Sequence, residues 1–199
     1  MVVRRVASAV LPTAQGEFDL FGYEAGTGGA AKSYVVLSKG ALTAASAPLV
    51  RIQSQCLTGD VFGSTRCDCG EQLRTAMQMI QAEGQGVIIY HPEEGRGIGL
   101  LNKLRAYELQ DQGIDTVEAN HRLGFEADQR DYSICAEIVK DLGISRLRLL
   151  SNNPGKLKAL EEAGVRVLER IPIEISPRGS TRNYLKTKKE KLGHWLEQV

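Results

Sequence analysis

The sequence lacks any apolar run approaching the roughly 20 residues that cross a bilayer as a helix, so no membrane-spanning helix and no membrane partner are expected. It lacks an excess of either charge: 25 Lys and Arg stand against 24 Asp and Glu, a formal net charge of +1. That balance removes the general attraction to polyanions that marks nucleic-acid binders, so no nucleic-acid partner is expected and any phosphate affinity must come from local clusters. There is no internal repeat and no low-complexity stretch. Arg4 and Arg5 are followed by no long apolar segment and no small-residue cleavage site, so no secretory leader is read and the expected location is cytoplasmic. Cysteine is scarce, four residues in 199, yet Cys56, Cys67 and Cys69 fall within 14 positions. In a reducing compartment such a cluster favours a metal over disulfides. The single residue between Cys67 and Cys69 also suits a mutual disulfide poorly.

What is present reads as strands first and alternation afterwards. Segments around 4–10, 17–23, 33–38 and 48–54 are short, rich in Val, Leu, Phe or Tyr, and divided by Gly, Pro and Thr. The stretch Glu24-Ala25-Gly26-Thr27-Gly28-Gly29 reads as a flexible loop. From Gly70 the period changes. Leu73, Ala76, Met77 and Ile80 stand at i, i+3, i+4 and i+7 of an amphipathic helix closed by Gly84. Residues 86–90 form a buried apolar strand. Leu100, Leu104 and Tyr107 share a helical face that ends by Gly113. Ile134, Cys135, Ile138, Val139 and Leu142 make a stripe near 131–142, 146–150 is a strand, Asn153-Pro154 opens a helix ending at Gly164, and 165–171 is a strand. The pattern predicts an α/β (or α+β) fold: a mixed β-sheet covered by helices, strand-rich in its N-terminal half and alternating in its C-terminal half. One catalytic domain is expected over 1–175, with a basic, partly helical tail over 176–199.

Three clustered thiolates are soft ligands suited to zinc. Structural zinc sites take four protein ligands, whereas catalytic sites take three and keep one position open, and the cluster fits the second pattern. A structural site completed by His91 or His121 is the alternative. Cys135, on an apolar stripe, reads as a core residue. Three thiolates leave a zinc centre formally anionic, so a neighbouring cation or acid–base group is needed to help its chemistry. Glu94-Gly95-Arg96-Gly97-Ile98-Gly99 follows a strand and opens a helix, offering backbone N–H groups and Arg96 to an anion. Such turns also serve geometry alone, and this one does not match the pattern G-x-x-x-x-G-K-[ST]. Arg51, and Lys156 in the corner Asn152-Asn153-Pro154-Gly155-Lys156, are further phosphate candidates or else solvated charges. Tyr107 on spacing alone reads as packing among leucines, and Asp131 as a helix cap.

Taken together, Cys56-Leu57-Thr58-Gly59-Asp60, Arg66-Cys67-Asp68-Cys69-Gly70, the run Glu94 to Lys103, Asp115-Thr116-Val117-Glu118-Ala119-Asn120 and the tail residues Tyr184-Leu185, Thr187-Lys188, Lys191 and Gly193-His194 resemble GTP cyclohydrolase II of riboflavin biosynthesis. The resemblance spans almost the whole chain, and no dihydroxybutanone-phosphate synthase half is attached. It implies zinc-dependent hydrolysis of GTP at guanine C8, with loss of formate and pyrophosphate to give 2,5-diamino-6-ribosylamino-4(3H)-pyrimidinone 5′-phosphate. It implies Zn2+ on Cys56, Cys67 and Cys69, Mg2+ on the substrate triphosphate, and a homodimer. It assigns proton acceptance to Asp128, a nucleophilic or charge-stabilising role at the α-phosphate to Arg130, and help in ring opening to Tyr107. For Arg130 the charge-stabilising role is the easier one, because a guanidinium keeps its proton at pH values beyond ~12. Substrate binding falls by resemblance to Arg51, Ile52, Gln53, Ser54, Gln55, Gln72, Glu94, Gly95, Arg96, Thr116, Ser151 and Lys156. The chain departs from the family's usual Arg-x-His-Ser-Glu-Cys in having Gln53 and Gln55, and has Ser151 where threonine is usual. A divergent paralogue that keeps the formyl group or takes another purine nucleotide, and a non-enzymatic zinc or nucleotide module, are the alternatives.

Overall fold

The computed structural model describes residues 3–26, 31–43 and 45–199. The loop expected over 24–29 therefore lies partly outside the described residues, at 27–29. The chain divides into two compact units.

The first unit comprises the described residues of Met1–Gln53, Arg74–Pro92 and Asp131–Ile173. It holds a seven-stranded mixed sheet, in the order β1 (Val3–Thr13), β2 (Gly16–Ala25), β3 (Lys32–Lys39), β5 (Gly86–His91), β4 (Leu49–Ser54), β6 (Arg146–Leu150), β7 (Arg166–Ile171). β1, β2, β3 and β5 pair antiparallel, while β4, β6 and β7 pair parallel. The split follows from the sequence. β1 and β2 are linked by the short turn at 14–15, whereas β6 and β7 are joined through a helix, as a parallel pair requires. β5 reads as an almost unbroken apolar run, and almost all residues of β4 and β5 are buried, as expected for strands covered on both faces.

On one face Val36, Val50, Ile52, Val87 and Ile89 pack with Ile134, Cys135, Ile138 and Val139 of α5 (Ser133–Asp141) and Leu160 of α6 (Pro154–Glu162). Cys135 is wholly buried there, which is the core role read from its stripe. Full burial of one such side chain, Ile138 for instance, contributes about 1.5–3 kcal/mol. At Gly86 a Cβ would meet Ile80 Cγ1 at 2.8 Å, so this strand start lies tight against α2 (Cys69–Glu83).

The second unit comprises Ser54–Leu73, Glu93–Arg130 and Glu174–Val199. It contains α1 (Leu57–Asp60), the first turn of α2, a 3-10 turn at Glu94–Gly97, α3 (Leu100–Asp111), α4 (Thr116–Arg122) and α7 (Gly179–Leu192). α4 packs against α3 and α7. Its start is set by Asp115, whose carboxylate accepts from the N–H groups of Val117 at 2.9 Å and Glu118 at 3.2 Å. The helical face expected from Leu100, Leu104 and Tyr107 needs correction. Leu104 is 42% exposed, and the buried positions of α3 are Lys103 and Ala106.

Candidate metal centre and active site

The metal-site candidate lies wholly in the second unit. The Sγ atoms of Cys56, Cys67 and Cys69 lie within 4.8 Å of one another, and no histidine or carboxylate joins that group among the described residues. His91 and His121 therefore do not complete it. Three local features bring the thiols together. Cys56 stands at the N-cap position of α1, which turns at once: Asp60 N–H donates to Cys56 O at 2.7 Å, while Cys56 N–H donates to Asp60 Oδ2 at 3.0 Å. Cys69 opens α2. Between the ligands, Gly59 provides room. A Cβ there would sit 2.9 Å from Cys67 Sγ, 3.2 Å from Cys56 Sγ and 3.2 Å from Cys69 Cβ.

The donor set suits a soft divalent ion. Three thiolates are zinc-preferring ligands, and three protein ligands leave one position for a reactant. Hydrogen bonds from Cys67 and then Cys69 lower the pKa of Cys56, while Cys67 is pushed up to about 11, first by its bond to Cys56. One of the three is thus the readiest thiolate. Cys56 Sγ also receives a hydrogen bond from Lys103 Nζ at 3.2 Å.

Asp68, between two of the cysteines, is only 1% exposed. Its Oδ2 accepts from Gln72 Nε2 at 2.7 Å and its Oδ1 from Lys188 Nζ at 3.2 Å, so α7 is tied to the Cys67–Cys69 turn. Lys191 adds an ion pair with Asp115 at 2.6 Å.

The residues given catalytic roles by resemblance fall in this same unit. The Arg130 guanidinium grips Asp128 with two hydrogen bonds, Nε to Oδ1 at 2.8 Å and Nη2 to Oδ2 at 2.5 Å, and its Nη1 donates to Ser54 Oγ at 3.1 Å. Burial works against the Asp128 charge, but the hydrogen bonds and positive charge of Arg130, with the charge of Arg96, together outweigh it and hold the carboxyl below the usual range. Tyr107 is not simply packed among leucines. Its hydroxyl lies 3.1 Å from Thr58 Oγ1, and its ring faces the Arg66 guanidinium at 4.8 Å. Burial raises its pKa, so it stays protonated at neutral pH.

Glu94 is buried at the start of the glycine-rich turn, where Gly95 and Arg96 both have a φ of 62°. Arg96 is the sole non-glycine with positive φ among the described residues. Gln129 N–H donates to Arg96 O at 3.0 Å, and Arg96 Nη1 donates to Thr116 Oγ1 at 3.2 Å. Arg96 Nη2 is buried with no hydrogen-bond partner, a donor available to an anion. Gln55 is half-buried.

The first unit carries its own polar group at the carboxyl ends of two parallel strands, where open α/β sheets bind ligands. On β4, Gln53 Oε1 accepts from Arg51 Nε at 3.2 Å and Nη2 at 2.9 Å, while Arg51 Nη1 donates to Leu150 O at 3.2 Å. Lys156, in the first turn of α6, donates to Ile52 O at 2.8 Å, and Ser151 follows β6 directly, its hydroxyl accepting from Asn153 N–H at 3.0 Å. Asn153 caps α6 by accepting from Gly155 N–H at 2.8 Å.

Sequence reasoning missed the parts played by Lys103 and Gly59. For Lys103 the signal was a charge three residues after Leu100 on the stripe that Ala106 continues. For Gly59 no signal existed before the thiols were seen around it.

Residues 4–172 match the family model described as GTP cyclohydrolase II. The GTP cyclohydrolase-2 of Proteus mirabilis (strain HI4320) is 52% identical over 196 residues, covering 98% of each chain. The riboflavin biosynthesis protein RibBA of Chlorobium phaeovibrioides is 50% identical over 195 residues, which are 98% of this chain and 47% of that one, so the chain spans about half of that longer relative. A solved structure of RibBX, a two-domain 3,4-dihydroxy-2-butanone 4-phosphate synthase from A. baumannii, is similar at 18% identity and a TM-score of 0.48, over 87% of this chain and 40% of that one.

Proposed function

The chain belongs to the GTP cyclohydrolase II family of riboflavin biosynthesis, and from that premise we propose that it hydrolyses GTP at guanine C8 with zinc held by Cys56, Cys67 and Cys69. Formate and pyrophosphate leave, and the product is 2,5-diamino-6-ribosylamino-4(3H)-pyrimidinone 5′-phosphate. The observation that carries this reading is the group of three thiols with no fourth protein ligand among the described residues. When bound, zinc supplies Lewis acidity that makes water a nucleophile near neutral pH.

The chain's own residues do the rest. Asp128, kept ionised by Arg130, accepts the proton from the attacking water. Arg130, whose charge is permanent, stabilises negative charge developing at the α-phosphate. Tyr107, kept protonated, donates a proton to a ring nitrogen as the imidazole opens. Arg96, with its spare Nη2 donor, is an anion ligand in the second unit, as Arg51 and Lys156 are in the first. Ile52, Gln53, Ser54, Gln55, Gln72, Glu94, Gly95, Thr116 and Ser151 complete the proposed substrate set. Mg2+ accompanies the triphosphate. The active protein is a homodimer, a state that sedimentation analysis reads directly, and it works in the cytoplasm.

The test is incubation of the purified protein with GTP, Mg2+ and Zn2+, followed by assay of formate and pyrophosphate and mass measurement of the nucleotide product. Both small products are expected, and their loss on chelation should be reversed by zinc. Absence of both overturns the reading. A product heavier by one formyl group would favour instead a paralogue that stops after ring opening, the outcome to which Gln53 and Gln55 point.

A further inference from the structure

A divalent ion on three thiolates leaves one uncompensated negative charge in a buried setting, where charge is costly without a partner. Lys103 is placed to answer it. It is 8% exposed on the buried side of α3. Its Nζ donates to Cys56 Sγ at 3.2 Å and to Glu94 Oε1 at 2.7 Å, and lies 5.7 Å from the Tyr107 ring centroid. Glu94 is itself fixed: Oε1 accepts from Gly95 N–H at 2.9 Å and Oε2 from Leu57 N–H at 2.7 Å. The carboxylate thus anchors the lysine to the residue that follows the first cysteine. The buried Glu94 carboxylate, 2.7 Å away, gives the ammonium an opposite charge in the same interior.

We infer that Lys103, locked by Glu94, is a positioning residue that neutralises the three-thiolate metal centre through Cys56 and so sets both its hold on the metal and its Lewis acidity. The inference rests on the proposal that the three cysteines hold the metal. A buried Lys–Glu pair alone gives little stability over apolar side chains of the same size. A third partner, the thiolate, gives the pair a role that apolar residues cannot fill. A hydrogen bond from a cation to a coordinating sulfur withdraws electron density from it, leaving the metal a stronger Lewis acid, just as partners beyond the ligands tune other metal sites. Glu94, placed in the substrate set by resemblance, acquires a structural task on this account.

The experiment compares the wild type with Lys103→Arg and the double variant Lys103→Met/Glu94→Gln, which leaves no orphaned carboxylate in the interior. Cobalt(II) is loaded in place of zinc and the sulfur-to-cobalt charge-transfer band recorded. Zinc affinity is measured by competition with a chelator, and folding by thermal unfolding. The double variant should fold, bind zinc roughly 10- to 100-fold more weakly, and shift the band to lower energy, because the sulfur donor orbitals lose a stabilising hydrogen bond. Lys103→Arg, which keeps the charge and a donor, should recover most of both. A double variant with wild-type affinity and band position would overturn the inference, as would an arginine variant no better than the double one. Failure of the wild type to take up cobalt on thiolates would instead overturn the metal reading, and this inference with it.

Discussion

Lys188 of α7 donates to Asp68 Oδ1 at 3.2 Å, and Asp68 is the residue between the two closely spaced cysteines. The pair is well shielded, with side chains 12% and 2% exposed. A residue from the last part of the chain therefore braces the turn that presents Cys67 and Cys69. Removing the lysine leaves a buried carboxylate held by the Gln72 amide and no cation at its Oδ1. Lys188→Met should lower stability by about 3 kcal/mol, the low end for breaking a buried pair because the lysine keeps some exposure. For a chain of this size that is roughly a 6–12 °C drop in Tm. Calorimetry on the variant and on Lys188→Met/Asp68→Asn, which should recover much of the loss, checks the pair. Equal Tm values for wild type and the single variant would sink it.

Much of this arrangement was legible beforehand. The four early strands, the helix from Gly70, the strand at 86–90 and the later alternation all appear, because their apolar periods carry through to burial. The cysteine spacing alone pointed to a metal group. What escaped did so for physical reasons. α1 is four residues long, too short to show a period, and α4 has a cap in Asp115 but only seven residues of pattern. Lys103 was hidden because a hydropathy reading puts lysine outside, whereas Glu94 and Cys56 give it polar partners inside. Leu104 misled in the opposite sense, an apolar residue left partly in solvent.

Gly59 makes a prediction about space. A methyl group there would enter the hollow between the three cysteines, 2.9 Å from Cys67 Sγ. Since α1 is a single turn of four residues outside the sheet, alanine should leave the sheet intact and spread the thiols apart. Gly59→Ala should therefore retain its cooperative unfolding yet hold at least about tenfold less metal, the scale of disturbance to a ligand shell. Elemental analysis after dialysis against a weak chelator reads this directly. Full metal content would mean that the hollow is not where the ion sits.

The Asp128–Arg130 pair makes a prediction about pH. The folded pKa of Asp128 lies below its unfolded value of about 3.9. The stability it contributes is thus fully present above the unfolded value and is lost as pH falls through the folded one. Asp128→Asn should cost about 1.5 kcal/mol at pH 7, the low end for a hydrogen bond to a charged group. The difference from wild type should shrink towards zero at an acid pH below the folded value, where the native carboxyl takes up its proton. Urea unfolding at both pH values measures it. A gap that stays constant with pH would show that Asp128 acts through shape and not charge.

Gln53 is the departure from the family pattern with the clearest structural consequence. Its Oε1 accepts from two nitrogens of the buried Arg51, at 3.2 and 2.9 Å, while Leu150 O takes a third N–H. The glutamine thus fixes the plane of a guanidinium proposed to meet substrate. Gln53→Met removes that acceptor and should cost about 1–3 kcal/mol in the order of the guanidinium. Because Arg51 is assigned to binding and not to bond breaking, the loss should appear as a KM raised on the order of tenfold with kcat little changed. Gln53→His, which restores the residue usual at this position, offers one ring nitrogen as acceptor in place of an oxygen that serves two donors. It should fall between wild type and Gln53→Met in KM for GTP. Steady-state kinetics on the three proteins decide. An unchanged KM in Gln53→Met would remove Arg51 from the binding set. A kcat that rises in Gln53→His at constant KM would instead assign the departure to the chemical step.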